Sequence, residues 1–350
     1  MDNGKLNTAI LGLNEGGRLL LKAAGRVDGL HIHAVADKDQ NLVEKLAGEY
    51  GCAAFDDYRQ LVMQNDLDCL LVAEAMHRCE EYVRMAMKKK FHVLKLPPGA
   101  RDFEEAAEFV RLAEEQDIRF GIANTSRFAR SFRTLRQHLQ EGRIENVFLI
   151  SAFCNPGDRE PPGWQGDPKL SGGGVLLHNC YKIIDQIVAN FGMPEQVYSL
   201  STNKAPDKQQ RLYLAEDTAV VTMKFGGGCI GNLVTSRRAD IGPAEEFIKL
   251  YEKNGILTVN DERLVFGDKS ERETVQSDDD ELARMIELLE DFAMSVRSPE
   301  TNKLCSSARE NLQDMAVIES AYLSARTGFP EEPGRILQMS APPAEQVTEE

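Results

Sequence analysis

The feature that most limits what this chain can fold into is the run Gly12-Leu-Asn-Glu-Gly-Gly17. It closes an apolar segment, Thr8–Gly12, and opens an amphipathic one, Gly17–Ala24. A tight turn from strand into helix is the context that the dinucleotide fingerprint requires. In that fingerprint the first glycine permits the turn, and the third lets helix and strand pack closely. The second lets the backbone approach a pyrophosphate held at the helix N-terminus. Here the second position is Asn14. Asparagine tolerates left-handed backbone better than most residues, yet its side chain takes space near the phosphates. Gly16, beside Glu15, offers compensation. Alone, the same six residues also fit a glycine-rich turn that binds nothing.

The residues beyond the turn favour the nucleotide. Asp37 ends the strand His31–Asp37, about 20 residues on, where an acid accepts hydrogen bonds from the ribose hydroxyls and repels a 2′-phosphate. NAD is therefore favoured over NADP; Lys38, able to pair with such a phosphate, weakens the preference. Further strands are expected at Cys69–Ala73, His92–Lys95 and Arg119–Ala123, with helices at Asn41–Tyr50, Glu80–Lys89 and Phe103–Gln116 between them. Asp102 reads as the N-cap of the last. Such alternation implies right-handed crossovers and a parallel sheet.

After about residue 124 the pattern changes. A helix (Arg130–Gln140), a strand (Val147–Cys154), a Pro/Gly-rich loop (Asn155–Gly174) and a long helix (Val175–Ala189) lead into a run of strands. These are Gln196–Asn203, Asp217–Phe225, Cys229–Ser236, Glu246–Glu252, Ile256–Asn260 and Leu264–Gly267, joined by short turns that indicate antiparallel pairing. Helices at Asp280–Val296 and Ala308–Thr327 complete the pattern. A chain of 350 residues exceeds what one core usually serves. The expected class is α/β: an N-terminal Rossmann doubly wound parallel sheet over 1–123, then a C-terminal α+β domain with an open, mostly antiparallel sheet over 124–330. Residues 331–350 read as a flexible tail.

Composition excludes several functions. A net charge of −15 disfavours nucleic-acid partners, which need a basic face. No apolar run reaches the roughly 18 residues that span a membrane, and no signal peptide is evident, so a cytoplasmic location is expected. The seven cysteines form no CxxC pair, and nothing resembles a metal triad.

Three further candidates carry chemistry. His178 and Lys182, four apart on the helix after Gly172-Gly-Gly174, share a face with Asp185 nearby. Placed side by side they depress each other's pKa, which suits proton transfer near neutrality. Spacing alone favours a polar helix edge. Lys95 ends the strand before Leu96-Pro97-Pro98, at the carboxyl edge where open α/β sheets bind ligands, or else snorkels from the strand end. His77 lies just past the strand Cys69–Ala73 at the same edge and is a candidate to touch the cofactor; His31 and His33 read as structural.

These pieces, in this order, resemble the glucose–fructose oxidoreductase / inositol dehydrogenase (Gfo/Idh/MocA) family from about Thr8 to Gly328. The segments that carry the likeness include Ala34-Val-Ala-Asp37, Glu49-Tyr-Gly51, His92-Val-Leu94, Asn124 through Arg127-Phe128, Ser171-Gly-Gly-Gly174, Ile183-Ile-Asp185, Asn254-Gly255 and Ala321 through Gly328. The resemblance implies oxidation or reduction of a sugar, sugar-derivative or cyclitol hydroxyl with NAD(P), and an open sheet used to form a homodimer or homotetramer. It also implies substrate contacts from Arg127, Asn155, Trp164 and Asp185. The family's Glu-Lys-Pro reads Leu96-Pro97-Pro98 here, its Asp-x-x-x-His reads His178-x-x-x-Lys182, and its Thr-Pro beside the nicotinamide reads Glu74-Ala75. Either the proton chemistry is rearranged onto His178 and Lys182, or the site is inactive and the protein serves as a sensor or partner subunit. A hydrolase using bound NAD, with Glu74 and Asp185, ranks last.

Overall fold

The turn at Gly12 lies at the carboxyl edge of a parallel sheet. In the computed structural model, which describes residues 4–64, 66–157, 162–204, 214–237, 243–267 and 272–339, the first third of the chain alternates without exception. Its elements are β1 (Leu6–Leu11), α1 (Glu15–Ala24), β2 (Leu30–Ala36), α2 (Gln40–Tyr50), β3 (Ala53–Phe55), α3 (Tyr58–Gln64), β4 (Cys69–Val72), α4 (Met76–Lys88), β5 (His92–Lys95), α5 (Phe103–Glu115) and β6 (Phe120–Ile122). The strand order is β3-β2-β1-β4-β5-β6, all parallel. The order reverses between β1 and β4, so a crevice opens there outside the strand ends. Every residue of β4 is buried, as a sheet covered on both faces demands. Local signals agree with this placement. Asp102 caps α5 through Glu105 N at 2.8 Å, and α2 stops at Gly51, φ +65°. The sequence reading lacked β3 and α3: a three-residue, largely exposed edge strand and a seven-residue helix carry little periodicity.

The second half runs through a 3-10 turn (Thr125–Phe128) to α6 (Arg130–Gln140), β7 (Leu149–Asn155), α7 (Pro168–Ser171), α8 (Val175–Asn179) and α9 (Tyr181–Phe191). Then come β8 (Gln196–Thr202), β9 (Thr218–Lys224), β10 (Ile230–Ser236), β11 (Glu245–Tyr251), β12 (Ile256–Val259), β13 (Arg263–Gly267), β14 (Arg272–Gln276), α10 (Glu281–Arg297), α11 (Ala308–Thr327) and α12 (Pro333–Gln338). The eight strands form one sheet, β14-β13-β12-β11-β7-β10-β9-β8, antiparallel except at β7–β10. One face packs on α9 and α11 through Val197, Val221, Leu233, Ile248 and Leu250; the other leaves Leu200, Val220, Ile230 and Ile256 exposed.

Three expectations change. The long helix Val175–Ala189 is two helices, broken at Cys180, whose amide bonds to Val175 O, five residues back, at 3.2 Å. The second domain is not contiguous: α10 returns to the first. There Met285, Leu288, Leu289 and Phe292 bury against Leu20, Leu21 and Val35, and Ile122 N donates to Ser306 O at 3.1 Å. Nor is the whole of 331–350 a loose tail. Glu331 bridges Val197 at the edge of β8, and Ile336 of α12 is buried; residues 340–350 lie outside the described residues.

Candidate active site

The crevice beyond the parallel strands is a cleft of 580 Å³, within the range of small-molecule sites, about 300–1,000 Å³. Its glycine turn is built tightly. Gly12 has φ +90°, and a side chain there would meet Glu74 N at 2.8 Å; one at Gly17 would meet Gly12 O at 1.9 Å. Asn14 is not left-handed, having φ −59°. It caps α1, its Oδ1 accepting from Gly17 N at 3.0 Å, and its Nδ2 donates to Ala73 O at 2.7 Å. The substituted fingerprint position thus ties the helix start to the end of β4 while still lining the cleft. Glu15 sits in the first turn of α1, away from the cleft lining.

Asp37 lines the cleft and is oriented by backbone: Leu13 N donates to Oδ2 at 2.6 Å and Asp39 N to Oδ1 at 2.9 Å. A carboxylate has lone pairs left after two such bonds, enough for a diol. Lys38 turns away, donating to Asp56 O at 3.1 Å and lying 4.9 Å over the Tyr58 ring. It is therefore not positioned to meet a 2′-phosphate in the cleft. Glu74 lines the cleft too, held by the Tyr58 hydroxyl at 2.9 Å and by Ala75 N at 2.8 Å.

A second, larger cleft of 1,280 Å³ opens beside the first. His178, Pro97, Pro162 and Gln165 line both, so the two spaces meet at His178. The His178 ring is clamped: Nε2 lies 3.1 Å from Ser171 O, and the Trp164 ring packs edge-on at 5.4 Å. Trp164 in turn packs at 4.9 Å on His77, whose buried Nδ1 has no hydrogen-bond partner among the described residues. Trp164 therefore lines the nucleotide cleft. Burial, followed by the charges of Arg237 and Lys95, pushes the His178 pKa down to about 4 against the opposing Ser171 contact. The three glycines before it are needed for protein packing rather than ligand approach. Side chains at 172, 173 and 174 would strike Arg101 O, the Tyr322 hydroxyl and Glu216 O.

Lys182 lines the larger cleft but does not depress His178. Its ammonium pairs with Glu246 and, at 3.6 Å, with Asp261. Burial opposes its charge, yet these two carboxylates outweigh burial and hold its pKa up. Asn155 lines the same cleft, its Oδ1 taken by Gly157 N at 3.0 Å. Arg127 and Asp185 correct the sequence reading. They are 6% and 0% exposed and lie at neither cleft. The guanidinium grips the carboxylate at 2.5–3.0 Å, and Asn124 Nδ2 adds a bond of 2.6 Å. The pair pins the 3-10 turn to α9. Sequence reasoning missed Glu246, Asp261 and Arg237. The first two face Lys182 from β11 and from beside β13, and no linear spacing connects them. Arg237, just past β10, is buried and bonds Gln165 and Asn179 at the floor of the larger cleft.

Two profiles cover most of this architecture. Residues 6–124 match the oxidoreductase family with an NAD-binding Rossmann fold, and residues 132–258 match the GFO/IDH/MocA C-terminal domain. The chain belongs to the GFO/IDH/MocA oxidoreductase family. Myo-inositol 2-dehydrogenase of Thermotoga maritima is 22% identical over 261 residues, 74% of this chain and 76% of that protein. D-xylose 1-dehydrogenase (NADP(+)) 2 of Haloferax volcanii is 23% identical over 84% of this chain and 90% of its own. Levoglucosan dehydrogenase, solved with NADH and L-sorbose, superposes with a TM-score of 0.85 at 15% identity, over 95% of this chain and 100% of that one. As a GFO/IDH/MocA member the chain carries an NAD-binding domain, and its residues fit the group. Gly12 and Gly17 leave no room for side chains, Asp37 keeps acceptor capacity, and the first turn of α1 offers the amides of a helix N-terminus.

Proposed function

We propose that this GFO/IDH/MocA chain is an NAD-dependent dehydrogenase or reductase of a sugar, sugar derivative or cyclitol, with its proton chemistry moved off the customary positions. The observation that carries the reading is His178, a clamped, neutral imidazole where the nucleotide cleft and the larger cleft meet. A carbonyl only accepts, so the contact with Ser171 O places the ring hydrogen on Nε2 and leaves Nδ1 as acceptor. When bound, the nicotinamide accepts or supplies the hydride; the chain must orient one hydroxyl and move one proton. His178 Nδ1 accepts a hydrogen bond from a substrate hydroxyl next to the reacting one and so orients the ring. Lys182, charged and tied to Glu246 and Asp261, anchors other hydroxyls in the larger cleft together with Asn155. Gly12, Asn14 and Gly17 shape the pyrophosphate site, and Asp37 binds the adenosine ribose. Lys38 faces elsewhere, which favours NAD over NADP. The relatives named for inositol, xylose and levoglucosan point to a polyhydroxylated ring as substrate.

Thermal shift with NAD and NADP, then a panel of sugars and cyclitols read at the nicotinamide absorbance, tests this. A larger shift with NAD and turnover of at least one ring polyol are expected. No shift with either nucleotide refutes the reading. A shift with NAD but no turnover across the panel favours the sensor or partner-subunit role instead.

A further inference from the structure

We propose that Lys95 is the acid–base residue of the reaction, taking the hydroxyl proton in oxidation and returning it in reduction. The inference rests on the dehydrogenase reading and extends it. Lys95 ends β5 at the carboxyl edge of the parallel sheet and is only 4% exposed, yet it lines the nucleotide cleft together with His178. Its ammonium makes one hydrogen bond among the described residues, to Leu96 O at 2.9 Å. A buried cation is ordinarily paired with an anion, because leaving it unpaired in low dielectric is costly. The acids that face it are committed elsewhere: Glu74 to Tyr58 and Ala75, Glu105 to Arg101.

The contrast with Lys182 is chemical. Two carboxylates keep Lys182 charged across the working range, so it cannot exchange a proton near neutrality. Lys95 has the opposite surroundings. Burial pushes its pKa down, and Cys79 of α4, Glu74 beyond β4 and Glu105 of α5 only partly offset this, while His178 of α8 faces it as a neutral ring. A general base works best when its pKa lies near the operating pH. In oxidation the substrate O–H bond breaks and an N–H bond forms on neutral Lys95 Nζ. The carbon-bound hydrogen leaves with its electron pair to the nicotinamide, and a carbonyl forms. The family lysine absent at Pro97 is thus replaced from the strand two residues earlier.

The test has a readout that needs no substrate. Titration calorimetry of the full chain with NAD⁺ and with NADH, from pH 6 to 10, should show NAD⁺ binding tightening severalfold as pH rises, because a cationic ring and an ammonium cease to repel; NADH should change little. The slope should vanish in K95M and persist in K182M. K95R, which keeps the charge and does not titrate, should bind NAD⁺ weakly at every pH, and it serves should K95M fail to fold. With an identified substrate, K95M should lose about 10²–10⁴-fold in kcat, the usual range for a lost acid–base group. KM should stay within a few-fold, and methylamine should restore part of the rate in K95A, where the truncated side chain leaves room for it. An unchanged NAD⁺ slope in K95M, or a slope lost only in K182M, overturns the assignment. Absence of any turnover by wild type defeats the dehydrogenase reading instead and leaves the affinity result to decide whether Lys95 titrates in the site.

Discussion

Replacing Arg127 with methionine separates a structural ion pair from a substrate contact. The guanidinium reaches Asp185 through Nε at 3.0 and 2.9 Å and through one terminal nitrogen at 2.5 Å. Its other terminal nitrogen bonds Cys305 O and, at 2.7 Å, Glu310. Without it, Asp185 keeps Asn124 as a donor and lies beside Asp314, whose pKa burial and that neighbouring carboxylate push well up. Breaking a buried pair from one side costs about 3–5 kcal/mol, because an uncompensated charge remains. With an unfolding entropy of about 2.1 cal/mol/K per residue over this chain, cooperative unfolding turns that into a Tm drop of about 4–7 °C. R127M/D185L should recover much of the loss, since an apolar pair often matches the ion pair it replaces. The contacts with Glu310 and Cys305 stay lost, so recovery should be incomplete. Circular-dichroism melts of the two single variants and the double variant give the coupling directly. A Tm within about 1 °C of wild type, together with a tenfold rise in sugar KM, would return Arg127 to the substrate rim and refute the burial argument.

Two other outcomes concern the site. His178 has a folded pKa of about 4 against about 6.5 unfolded, so between those values the unfolded chain binds more protons. Stability should then fall as pH drops from 6.5 towards 4, by up to about 3 kcal/mol from this residue. H178F should flatten that acid limb in melts across the same range, and an unaltered limb contradicts the buried neutral ring. N14A removes both the cap on Gly17 and the bond to Ala73, costing about 1–2 kcal/mol and lowering Tm by about 1–3 °C; an unchanged Tm shows that neither bond stabilises the turn.

How legible each feature was depends on how local its cause is. Gly12 and Gly17 were readable because a tight strand-to-helix turn tolerates few residues at those points. The cap at Asp102 and the helix α6 were readable because caps and 3.6-residue periodicity act within one element. β3 escaped because three residues, two of them exposed, at a sheet edge have no pattern to show. Lys38 looked like a cofactor residue by proximity to Asp37, but the pull of Asp56 O and the Tyr58 ring comes from the next strand–helix unit. Asn14 looked like a defect in the fingerprint and is a cap, since its second partner, Ala73 O, lies just past β4.

From the sequence alone come the parallel α/β half, its nucleotide-binding turn, the mostly antiparallel half and the family, because each rests on periodicity, turn chemistry or ordered motifs along the chain. Only the tertiary structure decided which charges are spent and which are left. Lys182 and Arg127 carry the same formal charge in sequence as Lys95, but β11 and the residue beside β13 bring carboxylates to the first, and α9 brings one to the second. The acids nearest Lys95 are claimed by Tyr58, Ala75 and Arg101. A side chain's pKa and availability are set by neighbours distant in sequence and by the water that packing removes. Neither is written in local spacing.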